Sequence, residues 1–352
     1  MKLTRFQTRF VATIVLLVSA AGASACSSSP AQTTSSLRAL PAVASAGCTS
    51  RAPATTTSAI TFNTGAKSGY YFMEVPPAAS KGSPVPLVLN LHGYEEPASI
   101  QDAGSGLPAY GTTHGFYVVT PQLEESGLPR WDFSPGSADV SWISDLLTQV
   151  EKTRCIDERR VYATGLSMGA YTTSSLACQL SGRLGAVAPV AGIQAYPWCK
   201  ATRPVPVIAF HGDADPILAF TGGLGEAGKA LPNPDGTGTI GDAASQGGSN
   251  LRDAQSLKSI PTQAAEWAKR NGCGTPATTT MASSDTSKIS YPCPADASVE
   301  LYVVHGGGHS WPGGPEGVYP ESIVGKETQT ISADALMWKF FLDHPLPQSP
   351  TH

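Results

Sequence analysis

The residues whose types most directly suggest chemistry lie at 165–169, which read Gly-Leu-Ser-Met-Gly. A serine hydroxyl is a weak nucleophile, and it needs a sharp turn that exposes its oxygen to both a base and a substrate. Glycine on either side allows such a turn between a strand and a helix because it lacks a Cβ. The flanking runs 160–164 and 170–180 have strand and helix patterns. We therefore predict that Ser167 is a nucleophile; a glycine-flanked turn serine without chemistry is the alternative.

An acidic residue that could orient a base follows the serine along the chain. Asp215 comes shortly after the apolar run 207–210, at the end of a predicted strand. A carboxylate in that position can hold a histidine in the orientation that catalysis requires. Asp213 is the rival, although an Asx turn would also account for it. We predict that Asp215 is the acid.

A histidine follows the next predicted strand, 301–304. His309 lies in the glycine-rich segment 306–313, whose backbone freedom would let an imidazole approach the serine. His305, at the end of the strand, is the alternative base, or else a histidine with a structural partner. The order serine, acid, histidine is the one expected after this kind of turn. We predict that His309 is the general base.

Backbone N–H groups are predicted to stabilise the negative oxygen that develops when the serine attacks a carbonyl. One belongs to Met168, directly after the nucleophile, and the other to Tyr94, in the loop after the predicted strand 87–91. Trp311 is expected to line the substrate pocket, with Trp131 as a second candidate, because an aromatic wall suits a flat phenolic or sugar ring.

The elements that must position these residues form an alternating pattern of strands and helices. Such a pattern predicts one α/β domain with a mostly parallel sheet and helices on both faces. The predicted strands are 87–91, 117–120, 160–164, 187–190, 207–210 and 301–304. Most are apolar throughout, as strands buried on both faces should be.

Three helices have readable ends. Asp139 is predicted to cap the first, Pro261 to begin the second, which ends at Gly272, and 331–342 to form the closing helix. The stretch 222–258 is rich in Gly, Asp and Ser and has little pattern. A loop of that length is either functional or mobile.

The N-terminus is predicted to be an export signal. Residues 1–25 combine three cations among the first ten residues with a short apolar stretch that cannot span a bilayer. Cys26 follows the small residues 23–25 as in a lipobox, so we expect a lipid anchor on Cys26; ordinary cleavage before Cys26 is the alternative. The protein should then be secreted and held at the outer face of the membrane.

Composition divides the remainder of the chain. Residues 26–59 are rich in Ser, Thr, Ala and Pro, which predicts a disordered tether. The catalytic domain is expected over 60–346, with a tail at 347–352. The net charge of −4, without a basic run beyond the first ten residues, argues against a nucleic-acid partner and leaves the acyl chains as the membrane anchor.

The chain has seven cysteines, and six remain when Cys26 is set aside. An even number in an exported chain predicts disulfides. The candidates are Cys48, Cys155, Cys178, Cys199, Cys273 and Cys293. Cys273 and Cys293 flank a loop rich in Thr and Ser and are the favoured local pair, while the other two pairings stay open. No Cys-x-x-Cys spacing occurs, so a zinc site is not expected.

Several of these segments resemble the esterases grouped with polyhydroxybutyrate depolymerases and with feruloyl and acetylxylan carbohydrate esterases, including LpqC-type lipoproteins. The resemblance runs from about 69 to 344. It rests on 91–93 (LHG), 131–135 (WDFSP), 160–169 (RVYATGLSMG), 190–192 (VAG), 211–216 (HGDADP) and 306–313 (GGGHSWPG). It implies an α/β-hydrolase fold without a cofactor, and by position it places the triad on Ser167, Asp215 and His309.

Two features depart from that family. Tyr94, Glu95 and Glu96 follow the His-Gly pair where the family often has Gly or Cys, and the stretch 222–258 is longer than usual. Both departures concern the rim of the site and hence the choice of substrate.

The resemblance implies a secreted serine esterase that hydrolyses feruloyl, acetyl or short-chain acyl esters, including esters carried by xylan. A polyhydroxybutyrate depolymerase is the alternative, although no separate polymer-binding domain is visible. Acyl transfer to an envelope sugar or lipid would use the same triad. A catalytically inactive hydrolase-fold lipoprotein that binds a ligand at the cell surface is the rival from another class.

Overall fold

The computed structural model describes residues 40–49, 58–245 and 258–347. The predicted signal, the lipidation residue Cys26 and most of the C-terminal tail lie outside the described residues. No helix in the described part is long and apolar enough to cross a bilayer.

Within the described ranges, ten strands form one sheet in the order β1-β2-β4-β3-β5-β6-β7-β10-β9-β8. The strands are β1 Ile60–Asn63, β2 Ser68–Glu74, β3 Val85–Leu91, β4 Tyr117–Leu123, β5 Ile156–Leu166, β6 Val187–Val190, β7 Val207–Gly212, β8 Thr278–Met281, β9 Thr286–Ser290 and β10 Val299–Val304. The six neighbouring strands β4, β3, β5, β6, β7 and β10 are parallel, so their carboxyl ends lie at one edge of the sheet.

The helices cover both faces of the sheet. They are α1 Ala98–Ser105, α2 Leu107–His114, α3 Ala138–Thr153, α4 Met168–Gln179, α5 Glu226–Ala230, α6 Ile240–Ser245, α7 Ile260–Arg270, α8 Glu321–Val324 and α9 Ala333–Asp343. Alternate residues of β3 show the two layers. Leu87 and Leu89 pack in one apolar cluster with α3 and α7, whereas Val88 packs in another with α2 and α9. The predicted parallel sheet with helices on both faces is confirmed.

The sheet edges were not predicted. The pairs β1–β2 and β8–β9 are antiparallel hairpins, and every residue of β8 is exposed. Strand β8 buries neither face and β2 buries only one, so these strands lack the continuous apolar pattern of the central ones. The Thr- and Ser-rich loop expected between Cys273 and Cys293 is in fact the β8–β9 hairpin.

The predicted cap of α3 is also wrong. Ser137 is the N-cap, and its hydroxyl accepts a hydrogen bond from the Val140 N–H. Asp139 lies within the first turn, where its carboxylate accepts from the Asp132 N–H and pairs with Lys67. A cap needs extended backbone, which Ser137 has and a residue inside the helix does not.

The prediction of a disordered tether over 26–59 is wrong for residues 40–49. Ser45 exchanges backbone and side-chain hydrogen bonds with the segment 154–156, and Cys48 forms a disulfide with Cys155. These contacts are made by the main chain, the Ser45 hydroxyl and one cysteine. Composition therefore gave no apolar signal for them, and the folded unit begins before residue 60.

The stretch 222–258 has more structure than its composition suggests. It contains the short helices α5 and α6 and an isolated bridge between Pro232 and Thr239. Residues 246–257 lie outside the described part. The bridge closes the 232–239 turn. A hydrogen bond from the Tyr94 hydroxyl to the Pro232 carbonyl (2.8 Å) joins this turn to the loop that follows β3.

Candidate active site

Ser167 lies on the turn between β5 and α4. Its φ of 58° and ψ of −118° are unusual for a residue with a side chain, and they place it in a strained conformation. The strain is fixed by tight packing, because a Cβ on Gly165 or Gly169 would lie 2.5 Å or 2.1 Å from the carbonyl oxygen of Leu91. The two glycines are therefore required by the close approach of β3. The Ser167 hydroxyl has no hydrogen-bond partner among the described residues.

Asp215 and His309 meet at the carboxyl edge of the sheet. The Asp215 carboxylate follows β7, His309 follows β10, and Asp215 Oδ2 lies 2.7 Å from His309 Nδ1. Both side chains are buried. A carboxylate can only accept, so Nδ1 carries the hydrogen and Nε2 of the neutral ring is left as a proton acceptor.

The Asp215 carboxylate is held by further donors. Oδ1 accepts from the N–H groups of Ile217 and Leu218, and Oδ2 lies 3.3 Å from His211 Nε2. Burial alone would raise the pKa of Asp215. The neighbouring His309 and the hydrogen bonds from His211 and His309 outweigh burial and hold its pKa well below the usual range.

The rival residues form a separate pair. His305 Nδ1 lies 2.9 Å from Asp213 Oδ2, and Asp213 Oδ1 accepts from the Gly306 N–H. His305 and Asp213 are both substantially exposed. His305 and Asp213 bond to each other at the surface, whereas Asp215 and His309 form the buried pair.

The loops that carry the acid and the base are joined by backbone contacts. Ala214 N–H donates to the Gly307 carbonyl (3.0 Å), and a Cβ on Gly212 would lie 2.1 Å from the same oxygen. His309 N–H donates to the Val324 carbonyl (2.6 Å). Gly307 and Gly308 serve close packing, because a Cβ would lie 2.5 Å from Val304 Cγ1 and 2.1 Å from the Val324 carbonyl oxygen, whereas Gly306 has a positive φ of 71°. The expected swing of a flexible loop is therefore not what positions His309.

The loop after β3 borders the nucleophile. A Cβ on Gly93 would lie 3.5 Å from the Ser167 Cβ, and the Tyr94 N–H follows immediately. The N–H groups of Tyr94 and Met168, both predicted oxyanion donors, have no acceptor in the described chain. His92 is fully buried, which lowers its pKa to about 4, so the ring is neutral and its role is structural.

The two tryptophans predicted to line the pocket are core residues. Trp311 is 2% exposed, and its indole N–H donates to Asp334 Oδ1 at 2.8 Å. Trp131 is 3% exposed and donates to the His92 carbonyl at 3.0 Å. Proximity to His309 in sequence misled the prediction for Trp311, because the chain turns inward after the histidine.

Other aromatic rings lie beside the first turn of α4. Phe133 packs against Tyr171 and Tyr196, and Tyr196 stacks on Trp198 with ring centroids 4.7 Å apart. Phe133 and Trp198 are only half-buried. The sequence analysis did not single out these rings as site residues, although Phe133 belongs to the WDFSP segment.

The six predicted cysteines form three disulfides. They are Cys48–Cys155, Cys178–Cys199 and Cys273–Cys293. The last is the favoured local pair, and the structure supplies the two pairings that the sequence left open. In the described ranges, no group of three or more His, Cys, Asp or Glu side chains is arranged to hold a metal ion.

The parallel sheet with helices on both faces and the sharp serine turn after β5 are those of the α/β-hydrolase fold, as the sequence predicted. No family model matches the chain. Feruloyl esterase B of Piromyces equi is 27% identical over 235 residues, which cover 64% of this chain and 39% of that protein. The putative esterase NocK of Nocardia uniformis is 28% identical over 280 residues, which cover 73% of this chain and 75% of that protein.

Poly(3-hydroxyalkanoate) depolymerase C of Paucimonas lemoignei is 33% identical over 139 residues, covering 37% of this chain and 33% of that protein. The chain thus spans less than half the length of two of these three relatives. Among solved structures, an acetyl xylan esterase from Aspergillus awamori matches 72% of this chain and 94% of its own, at 16% identity and a TM-score of 0.48. The three sequence relatives confirm the resemblance to this group of esterases.

Proposed function

We propose that this protein is a serine esterase that hydrolyses carboxylic esters through an acyl-enzyme on Ser167. The observation that carries the proposal is the buried 2.7 Å contact between His309 and Asp215, at the same sheet edge as the strained Ser167 turn. An unbonded serine hydroxyl, a histidine with a free Nε2 and a buried carboxylate are the parts that nucleophilic acyl transfer requires.

The proposed reaction has two halves. His309 Nε2 takes the proton of Ser167 as the hydroxyl oxygen attacks the ester carbonyl, and Asp215 stabilises the imidazolium that forms. The carbonyl oxygen becomes negative within reach of the Tyr94 and Met168 N–H groups. His309 then gives the proton to the departing alcohol. Water attacks the acyl-enzyme in the second half and releases the acid.

For the substrate, we favour a feruloyl, acetyl or other short acyl ester, including one linked to xylan. The names of the relatives support an ester of this kind. The half-buried ring of Phe133, which packs against Tyr171 in the first turn of α4, offers apolar surface for a flat acyl group. The relative named as a poly(3-hydroxyalkanoate) depolymerase supports the hydroxyalkanoate ester as a second candidate.

We also propose that the protein acts outside the cell. Three disulfides support an oxidising compartment. Lipidation of Cys26 remains a prediction, which mass spectrometry of the mature N-terminus would test.

The experiment is a comparison of three esters with the chain that begins at residue 27, so that Cys48 keeps its partner. Methyl ferulate, p-nitrophenyl acetate and a hydroxybutyrate trimer are each given to the wild type and to Ser167→Ala. We expect at least one to be turned over and the variant to lose at least ~10³-fold in kcat. The best substrate names the ester class. If both proteins are equally inert, the proposal fails, and acyl transfer or ligand binding takes its place.

A further inference from the structure

Glu96 is a buried carboxylate directly beneath the loop that borders the nucleophile. Its side chain is 9% exposed. Oε2 accepts a hydrogen bond from the Gly93 N–H at 2.6 Å, and Oε1 accepts one from the Tyr319 hydroxyl. The triad does not use this group, and it belongs to the segment in which the sequence departs from the family pattern.

The contact with Glu96 fixes Gly93, which borders the nucleophile. A Cβ on Gly93 would lie 2.8 Å from Glu96 Oε2 and 3.5 Å from the Ser167 Cβ, so Gly93 is held between the carboxylate and the serine. The turn closes at Glu95, which has a φ of 62° and donates its N–H to the Pro129 carbonyl (2.8 Å). The Tyr94 N–H lies between these two fixed peptide groups.

Tyr319 holds the carboxylate from the opposite side. It lies in the chain that follows His309, and a Cβ on Gly104 of α1 would lie 2.3 Å from its hydroxyl oxygen. The phenol therefore has little room to move. Burial and the adjacent Glu96 raise the pKa of Tyr319 well above its usual value, so its hydroxyl stays a donor. Glu96 thus connects the loop after β3 to the chain that carries the base.

We propose that Glu96 is a positioning residue, which holds Gly93 so that the Tyr94 N–H points to the oxygen that becomes negative during attack by Ser167. The inference rests on the proposed esterase function. An oxyanion donor stabilises the transition state only if it is oriented correctly before the reaction. Loss of the Glu96 acceptor should therefore lower kcat more than it changes KM.

The ionisation state of Glu96 does not decide this role. Burial raises its pKa to about 7, against the lowering effects of Tyr319, Gly93 and His309, and Asp102 raises it further. A carboxyl group keeps an oxygen that accepts from Gly93 whether or not it is ionised. Glutamine also has such an oxygen, and its amide can donate to the Tyr319 oxygen. Glu96→Gln is therefore the conservative variant and Glu96→Ala the disruptive one.

The test measures ester hydrolysis and amide hydrogen exchange over 92–97 in the wild type, Glu96→Ala, Glu96→Gln and the control Glu124→Ala. Glu124 is exposed and lies after β4, outside the 92–97 loop. We expect Glu96→Ala to lose about 10- to 100-fold in kcat, with KM within about twofold, and to exchange faster at Gly93. Glu96→Gln and the control should stay within about threefold of the wild type in kcat, with unchanged exchange.

Two results would overturn the inference: wild-type kcat and exchange in Glu96→Ala, or a kcat for Glu96→Gln as low as that of Glu96→Ala, which would assign the effect to charge. If the wild type hydrolyses no ester, the proposed function fails separately. The exchange data then test the positioning of the loop alone, and unchanged exchange in Glu96→Ala rejects it.

Discussion

The imidazole of His309 and the carboxylate of Asp215 are in hydrogen-bond contact at 2.7 Å, and both are removed from solvent. In that environment the carboxylate is held by two backbone N–H groups and a second histidine, so its position and charge are fixed before any substrate binds. The ring of His309 is thereby restricted to one tautomer, the one that can take a proton at Nε2.

Asp215→Asn should preserve the shape of the site and reverse the tautomer. An amide NH₂ facing Nδ1 favours the ring with its hydrogen on Nε2, which cannot accept the serine proton. We expect kcat for ester hydrolysis to fall by about 10⁴-fold. Asp213→Asn is the matched control, because Asp213 contacts the exposed His305, and it should stay within about threefold of the wild type. Equal losses in the two variants would mean that the acid is misassigned.

Gly169→Ala should disrupt the nucleophile turn. The added Cβ would lie 2.1 Å from the Leu91 carbonyl oxygen, a backbone atom that cannot rotate away. We expect the free energy of unfolding to fall by about 1–3 kcal/mol or more, with loss of ester hydrolysis. Urea titration measures the first effect. Gly65→Ala, which meets no atom within 4 Å, should change neither quantity. A fully stable Gly169→Ala would contradict the packing described for this turn.

Much of the site could be predicted because its signals are local. The Gly-Leu-Ser-Met-Gly turn, the acid after β7 and the histidine after β10 follow one another in a required order, and the structure brings Asp215 and His309 into contact at the edge where Ser167 lies. Burial was harder to predict. Trp311 looked like a pocket residue, but whether an indole points inward depends on α9, which is distant in sequence.

The central strands were predicted for a similar reason, since burial on both faces leaves an apolar run such as Val187–Val190. The edge hairpins and the docking of residues 40–49 leave no such run, because hydrogen bonds and a disulfide hold them. Glu96 was visible as a departure from the family pattern. Its partner Tyr319 lies more than two hundred positions away, and no local pattern could have joined the two.

Trp311→Phe tests the assignment of Trp311 to the core. The variant leaves buried Asp334 without its indole donor, so we expect the free energy of unfolding to fall by about 1–3 kcal/mol while KM for the ester is unchanged. Trp142→Phe, which removes a buried indole bond to the Phe62 carbonyl, should behave alike. A raised KM without loss of stability in Trp311→Phe would return this residue to the substrate pocket.

The carboxyls of Asp334 and Asp102 should make a contribution to the free energy of unfolding that decreases as the pH rises from about 4 to about 7. Burial raises the pKa of Asp334 to about 7, only partly offset by the Trp311 hydrogen bond, and it raises that of Asp102 to about 6. Over this range the folded chain keeps protons that the unfolded chain has released. The contribution of these groups to the free energy of unfolding is therefore fully present below the pKa that they have in the unfolded chain. It is lost as the pH rises through the pKa that they have in the folded protein.

Asp334→Asn should make this pH dependence shallower. The contribution of one such group to the free energy of unfolding decreases by up to about 1.4 kcal/mol per pH unit between pH 4 and 7, and the variant lacks this decrease. Denaturant titrations at several pH values measure the slope, and Asp145→Asn controls for the loss of one exposed carboxylate. An unchanged slope in Asp334→Asn would show that this carboxyl is ionised in the folded protein.

The central claim is that Ser167 is an activated nucleophile, and covalent labelling by a fluorophosphonate tests it most directly. The reagent reacts with a serine that is activated by a base, whichever ester is the natural substrate. We predict stoichiometric labelling of the wild type, mapped by mass spectrometry to the peptide that contains Ser167, with none in Ser167→Ala and slow labelling in Asp215→Asn. An unlabelled wild-type protein, or label on a different serine, would contradict the claim.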